Sequence, residues 1–192
     1  MSTSKAREKS RRIKSEAAGV KHPLISYIIV AFFAMSFFPS VALQAAPYAA
    51  VVMDARNGKI YHSRNADTRL HPASLTKMMT LYVAFQAIEK NEISLDSYVT
   101  VSRNAAAEPP SKLWLKRGQK IKLRYLIRAA AIKSANDAAT AIGEVISGSE
   151  AAFAKRMTRT ARAMGMARTT FKNAHGLTRS GHLSTARDMT IL

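Results

Sequence analysis

The sequence contains no cysteine. Disulfides, thiolate metal ligands and cysteine nucleophiles are therefore excluded, and stability has to come from packing. Acidic residues are scarce: 12 Asp and Glu stand against 30 Lys and Arg, for a net charge of +18. That surplus attracts polyanions, whether nucleic acid, anionic lipid or acidic envelope polymer, without choosing among them. Aromatic residues make up only 7%, with a single tryptophan, and no basic patch interleaved with aromatics of the kind that reads nucleic acid is present. Internal repeats and low-complexity segments are lacking too. What remains, 192 residues of which 47% are hydrophobic, is enough for one domain with a real core.

One stretch is without charge of either sign. Leu24 to Ala42 (LISYIIVAFFAMSFFPSVA) is apolar, and it follows a basic leader with Lys5, Arg7, Lys9, Arg11, Arg12, Lys14 and Lys21. Small residues then cluster in Ser40-Val41-Ala42 and Gln44-Ala45-Ala46. The order basic, apolar, small is that of a secretory signal peptide, assigned here to residues 1–46, with cleavage after Ala42, Ala45 or Ala46. A permanent anchor is the rival, since the run approaches spanning length. In either case the body of the chain is expected outside the cytoplasm, which argues against nucleic acid as a partner.

The body opens with a strand over 49–54, an Asn57-Gly58 turn and a returning strand over 59–63, a hairpin pattern. Pro72 favours a helix start just after it, and a helix is predicted from Ser74 to about Lys90. Leu75, Met78, Met79, Tyr82 and Val83 fall at helical spacing and are expected on one buried face. Residues 91–119 read as irregular, with a short strand at 99–101 and Trp114 as a packed loop anchor. Helices are expected over 121–133, with Leu123, Leu126, Ile127 and Ala130 inward, over 138–146, and after a Ser149 cap, with Phe153, Met157, Ala161 and Met164 inward. A loop over 169–183 follows, and a last helix starts at Ser184 or Thr185, where Thr185 and Asp188 have capping-box spacing.

Two short motifs carry chemistry. In Ser74-Leu75-Thr76-Lys77 a serine precedes a lysine by one helical turn. A serine hydroxyl needs a base beside it to become a nucleophile, and a lysine serves as that base when desolvation lowers its pKa. A helix N-terminus adds free N–H groups and positive partial charge for the developing anion. Sixty residues on, Ser134-Ala135-Asn136 lies between two predicted helices, where a loop can project polar side chains into a cleft; Asn136 or Asp137 would alternatively serve as an N-cap.

Together, S-x-x-K and S-x-N in an exported chain form the serine acyltransferase pattern of penicillin-binding proteins and β-lactamases. Pro72 to Thr80 and Ser134 to Ala139 resemble the first and second motifs of the low-molecular-weight penicillin-binding proteins that are D-alanyl-D-alanine carboxypeptidases, peptidase family S11. Phe171 to Leu177 and Ser184 to Met189 are similar to the loop and helix start that follow in that family. The resemblance implies an α/β (α+β) fold of the penicillin-binding-protein transpeptidase type, with residues 47–192 supplying the N-terminal hairpin and helical half of the catalytic domain. It implies Ser74 as the nucleophile, Lys77 as its base, Ser134 as a proton relay and Asn136 as a clamp on the substrate amide and on Lys77. The implied substrate is a peptidoglycan stem peptide ending in D-Ala-D-Ala, with β-lactams as covalent inhibitors, the anionic envelope as a further partner, and no cofactor or metal.

The family's third motif, K-T-G on a sheet-edge strand, has no counterpart in the sequence, and with it the C-terminal strands are expected to be missing. A chain lacking one oxyanion donor is expected to lose ~10²–10³ in rate. An inactive homologue that only binds the cell wall is one alternative. A β-lactamase is another, although residues 151–192 contain no glutamate of the kind class A enzymes use for deacylation.

Overall fold

The computed structural model describes residues 47–192; residues 1–46, read above as a signal peptide, lie outside the described residues. Two antiparallel strands, β1 (Ala50–Met53) and β2 (Ile60–Arg64), form the expected hairpin. Its turn is wider than a two-residue Asn-Gly turn: Gly58 N–H donates to the Asp54 carbonyl at 2.8 Å, and of the pair Asn57-Gly58 only Gly58 has positive φ. β1 is not fully buried, since Val52 is exposed, and every residue of β2 is exposed. No third strand pairs with this hairpin among the described residues.

A 3-10 turn, Ala73–Leu75, leads into α1 (Thr76–Glu89). The buried face of α1 is Thr76, Lys77, Met79, Thr80, Val83, Ala84 and Ala87. Of the five residues expected on the buried face only Met79 and Val83 are there, because Leu75, Met78 and Tyr82 join Phe85 on an exposed stripe. The reason is polar pairing: Thr76, Lys77 and Thr80 have hydrogen-bond partners inside the protein and so can take the inward face.

The region expected to be irregular holds a second two-stranded sheet, β3 (Tyr98–Thr100) with β4 (Lys120–Lys122), and a short helix α2 (Arg103–Ala107) capped by Ser102. Trp114 is not a packed anchor. It is 67% exposed at φ +63°, because the Asp137 carboxylate accepts from both Leu113 N–H and Leu115 N–H at 3.0 Å and leaves the residue between them turned outward.

The next three helices are α3 (Leu123–Ile132), α4 (Asn136–Ser147) and α5 (Glu150–Ala163). Ala135 is the N-cap of α4, so Asn136 and Asp137 lie inside the helix and neither caps it. α4 is the centre of the domain, with Asn136 to Gly143 buried throughout. On one side it meets Val99, Leu115, Leu123, Leu126 and Ala84; on the other Met79, Val83, Phe153 and Met157. A Cβ at Gly143 would lie 2.8 Å from the Phe153 ring, so only glycine lets α4 and α5 approach this closely. Ser149 caps α5 as expected, accepting from Ala152 N–H. α6 (Ala186–Ile191) starts at Thr185, whose hydroxyl accepts from Asp188 N–H. α6 lies against the N-terminal hairpin, tied by the Leu70–Ser184 bridge and the Arg187–Asp67 ion pair.

Candidate functional site

Four groups were expected to meet, and the structure joins two of them directly. Lys77 Nζ donates to Asn136 Oδ1 and to the His175 carbonyl, each at 2.8 Å. Asn136 Nδ2 donates in turn to the Pro109 carbonyl at 3.0 Å, which fixes which end of the amide faces the lysine. The lysine side chain crosses from α1 to the first residue of α4, and both residues are buried. Burial pushes the Lys77 pKa down to about 8, and the negative charge of Glu108 opposes that shift. A neutral amine has two N–H bonds and one lone pair. Both hydrogens have acceptors here, so the lone pair occupies the one free direction, as a general base requires.

Ser74 and Ser134 are placed by backbone alone. Ser74 is exposed in the 3-10 turn, one turn before Lys77. Ser134 sits in the two-residue gap between the Lys133 cap and α4 at φ +56°, a left-handed conformation that costs a non-glycine residue about 1 kcal/mol. Among the described residues neither hydroxyl makes a hydrogen bond.

The loop 171–184 closes the site from the other side. The Ala174 carbonyl accepts from Thr80 Oγ1 at 2.6 Å, and His182 Nε2 contacts Thr76 Oγ1 at 2.9 Å. Lys172 N–H donates to His182 Nδ1, so the ring is in its Nε2–H form and donates to Thr76. Burial is the main cause that pulls the His182 pKa down to about 4, with the charges of His175 and His71 adding to it. His71 Nδ1–H donates to the His182 carbonyl at 2.8 Å. Gly176, at φ +92°, passes so close to the 3-10 turn that holds Ser74 that a Cβ there would be 1.8 Å from the Ala73 carbonyl oxygen.

Sequence reasoning quoted the His175-Gly176-Leu177 run without giving it a task, and it missed Thr80 and His182. Nothing local in the loop gives His175 or His182 a task, because their partners lie about a hundred residues upstream.

A D-alanyl-D-alanine carboxypeptidase family model matches residues 37–192. The chain belongs to that family. It is 35% identical over 179 residues to the D-alanyl-D-alanine carboxypeptidase DacF of Bacillus subtilis, covering 88% of this chain and 46% of that protein. Among solved structures, the carboxypeptidase DacD of Francisella tularensis superposes with a TM-score of 0.72 at 40% identity, over 74% of this chain and 35% of that one. Penicillin-binding protein D2 of Listeria monocytogenes, in an ampicillin-bound form, gives 0.66 at 34% identity, over 74% and 58%. The carboxypeptidase-family chain thus has the penicillin-binding-protein fold, and it spans less than half the length of the curated relatives it matches.

Proposed function

We propose that residues 47–192 carry the acyl-transfer machinery of a serine D-Ala-D-Ala carboxypeptidase, with Ser74 as nucleophile, Lys77 as general base, Ser134 as proton relay and Asn136 as the clamp on Lys77. The observation that carries this reading is the buried Lys77 amine, whose two N–H bonds are taken by Asn136 Oδ1 and the His175 carbonyl. Lys77 takes the Ser74 proton as Oγ attacks the carbonyl of the penultimate D-alanine. On this reading the Ser74 N–H is one donor to the oxyanion that forms. Ser134 passes the proton to the departing D-alanine amine, and water then hydrolyses the ester at Ser74. Asn136 keeps one amide hydrogen and one carbonyl lone pair for the substrate. The ampicillin-bound form of the Listeria relative supports β-lactams as ligands of this site.

The site belongs outside the cytoplasm on this reading, delivered by residues 1–46 and acting on peptidoglycan. No helix among the described residues is long and apolar enough to cross a membrane. A reporter active only after export, fused to residues 1–46, should be active; a wholly cytoplasmic reporter would remove the cell-wall assignment.

The test of the chemistry is covalent labelling of the full-length protein by a fluorescent penicillin, with the adduct located by mass spectrometry. Ser74→Ala should abolish the adduct and Lys77→Ala should slow it by orders of magnitude. An adduct that forms at normal speed in Ser74→Ala would refute the assignment.

A further inference from the structure

Beside the Lys77 contact, and sharing His175 with it, lies a second cluster of titratable groups. Glu108 at the C-terminal cap of α2, Glu150 at the start of α5 and His175 in the closing loop converge on one cavity of about 300 Å³. His175 Nε2 is 3.4 Å from Glu108 Oε1 and 3.2 Å from Glu150 Oε1, with all three side chains largely buried. The Thr140 hydroxyl on α4 also faces both carboxylates, at 3.0 Å from Glu108 and 3.5 Å from Glu150. Leu177 N–H donates to His175 Nδ1 at 3.1 Å.

That last bond decides what sits between the glutamates. An imidazole that accepts at Nδ1 carries its proton on Nε2, so the ring presents N–H, not a lone pair, to the two carboxylates. The group shared by the cluster is a proton. Ring and backbone of His175 are then fixed together: Nε2–H to the glutamates, Nδ1 to Leu177 N–H, and the carbonyl to Lys77 Nζ. Asn173 braces the same turn, accepting from Gly176 N–H and donating to the Leu177 carbonyl. The His175 peptide cannot rotate away from Lys77 without pulling its ring off both carboxylates.

We propose that Glu108 and Glu150 are positioning residues for Lys77, acting through His175: the two carboxylates clamp the imidazole so that its backbone carbonyl stays on Nζ. The role rests on the acyl-transfer reading for its meaning, though not for its measurement. Glu108 opposes the burial that lowers the Lys77 pKa. Burial also works against the His175 imidazolium, and hydrogen bonds and charge from Glu108 and Glu150 outweigh it, so that pKa lies above the ordinary value; the Leu177 N–H bond belongs to the neutral ring and is given up when Nδ1 takes a proton. The other charged groups facing the cluster are Arg179, which helps hold Glu150 ionised, and His182, which feels the charge of His175.

The sign of the effect separates this role from a structural one. Glu108→Gln keeps the size and one acceptor but removes a negative charge, so the Lys77 titration should move to lower pH by about half a pH unit or more. Mere loosening of the site would admit water and move it up, toward 10.5. The experiment follows Lys77 by ¹³Cε-lysine NMR in the full chain, assigned by its loss in Lys77→Arg, and His175 by its ring resonances. Glu150→Gln is the second variant; it should lower the His175 midpoint and move Lys77 less than Glu108→Gln does. Lys77 midpoints that stay put in both variants, or that rise, would overturn the proposal. In parallel, the pH profile of penicillin acylation should shift its acid limb with the NMR midpoint. Absence of acylation in the unmodified protein would count against the acyl-transfer reading alone, because the NMR titration is read without turnover.

Discussion

Lys77 is useful as a base only while it is neutral. With a pKa near 8, about one amine in ten is neutral at pH 7, against roughly one in three thousand at 10.5. Acylation of Ser74 by penicillin is therefore expected to rise about tenfold between pH 7 and 9 and to level off above the Lys77 pKa, which a stopped-flow pH series checks. A profile that is flat across this range would separate Lys77 from the proton transfer. His182 shows the same burial acting on stability. Its folded pKa, about 4, lies below the ordinary 6.5, so the unfolded chain takes up the proton first. The stabilisation is whole above about pH 6.5 and is lost as pH falls through about 4, a difference of roughly 3 kcal/mol. Denaturant titrations across that window should show the loss in the natural protein, and His182→Gln should flatten it.

Elements that depend on local signals were legible in the sequence. Ser149 and Thr185 announce helix starts through the hydroxyls that cap them, and the inward sets Leu123, Leu126, Ile127 and Phe153, Met157, Ala161 follow from spacing alone. S-x-x-K and S-x-N pointed to a candidate site because their residue types suit one chemistry, and the structure brings Lys77 and Asn136 of the two motifs together. What stayed illegible depends on distant partners. Thr76, Lys77 and Thr80 turned inward because α4 and the 171–184 loop offered them hydrogen-bond partners, which no periodicity of α1 encodes. β4 is three residues long and two of them are lysine, so only its pairing with β3 identifies it. Gly176 is the position where the loop tolerates least. Gly176→Ala should cost at least about 3 kcal/mol, combining strain at positive φ with a clash against the Ala73 carbonyl. Gly148→Ala, also at positive φ but in open space, should cost about 1 kcal/mol. Thermal unfolding of the two variants would check the contrast, and equal losses would mean that the loop does not pass against Ala73 this closely.

On the scale of the molecule, the helical half is well packed on both sides of α4, while one flank is open. Leu75, Met78, Tyr82 and Phe85 form an exposed stripe along α1, and Val52, Ile60 and Tyr61 are exposed on a hairpin with unpaired strand edges. Apolar surface in that quantity associates with itself or with a covering partner, and a lone two-stranded hairpin is marginal in water. Residues 47–192 produced alone are therefore expected to bind a hydrophobic dye, to self-associate and to release little or no D-alanine from a D-Ala-D-Ala peptide. Phe85→Lys should reduce dye binding and association without moving the thermal transition by more than about 1 kcal/mol. A monomeric, dye-free wild-type segment would show that this flank needs no cover.

The hydrogen bonds that desolvate and orient Lys77 join residues that a ribosome makes far apart in time: 59 residues separate it from Asn136 and 98 from His175, while 106 separate Thr76 from His182. Until the 175–184 segment has emerged and docked, the lysine remains an ordinary solvated cation and Ser74 an ordinary alcohol. Contacts of such sequence separation form late and slowly. On the acyl-transfer reading proposed above, the nascent chain therefore carries Ser74 unarmed through synthesis, and becomes reactive only once the loop that arms it has closed.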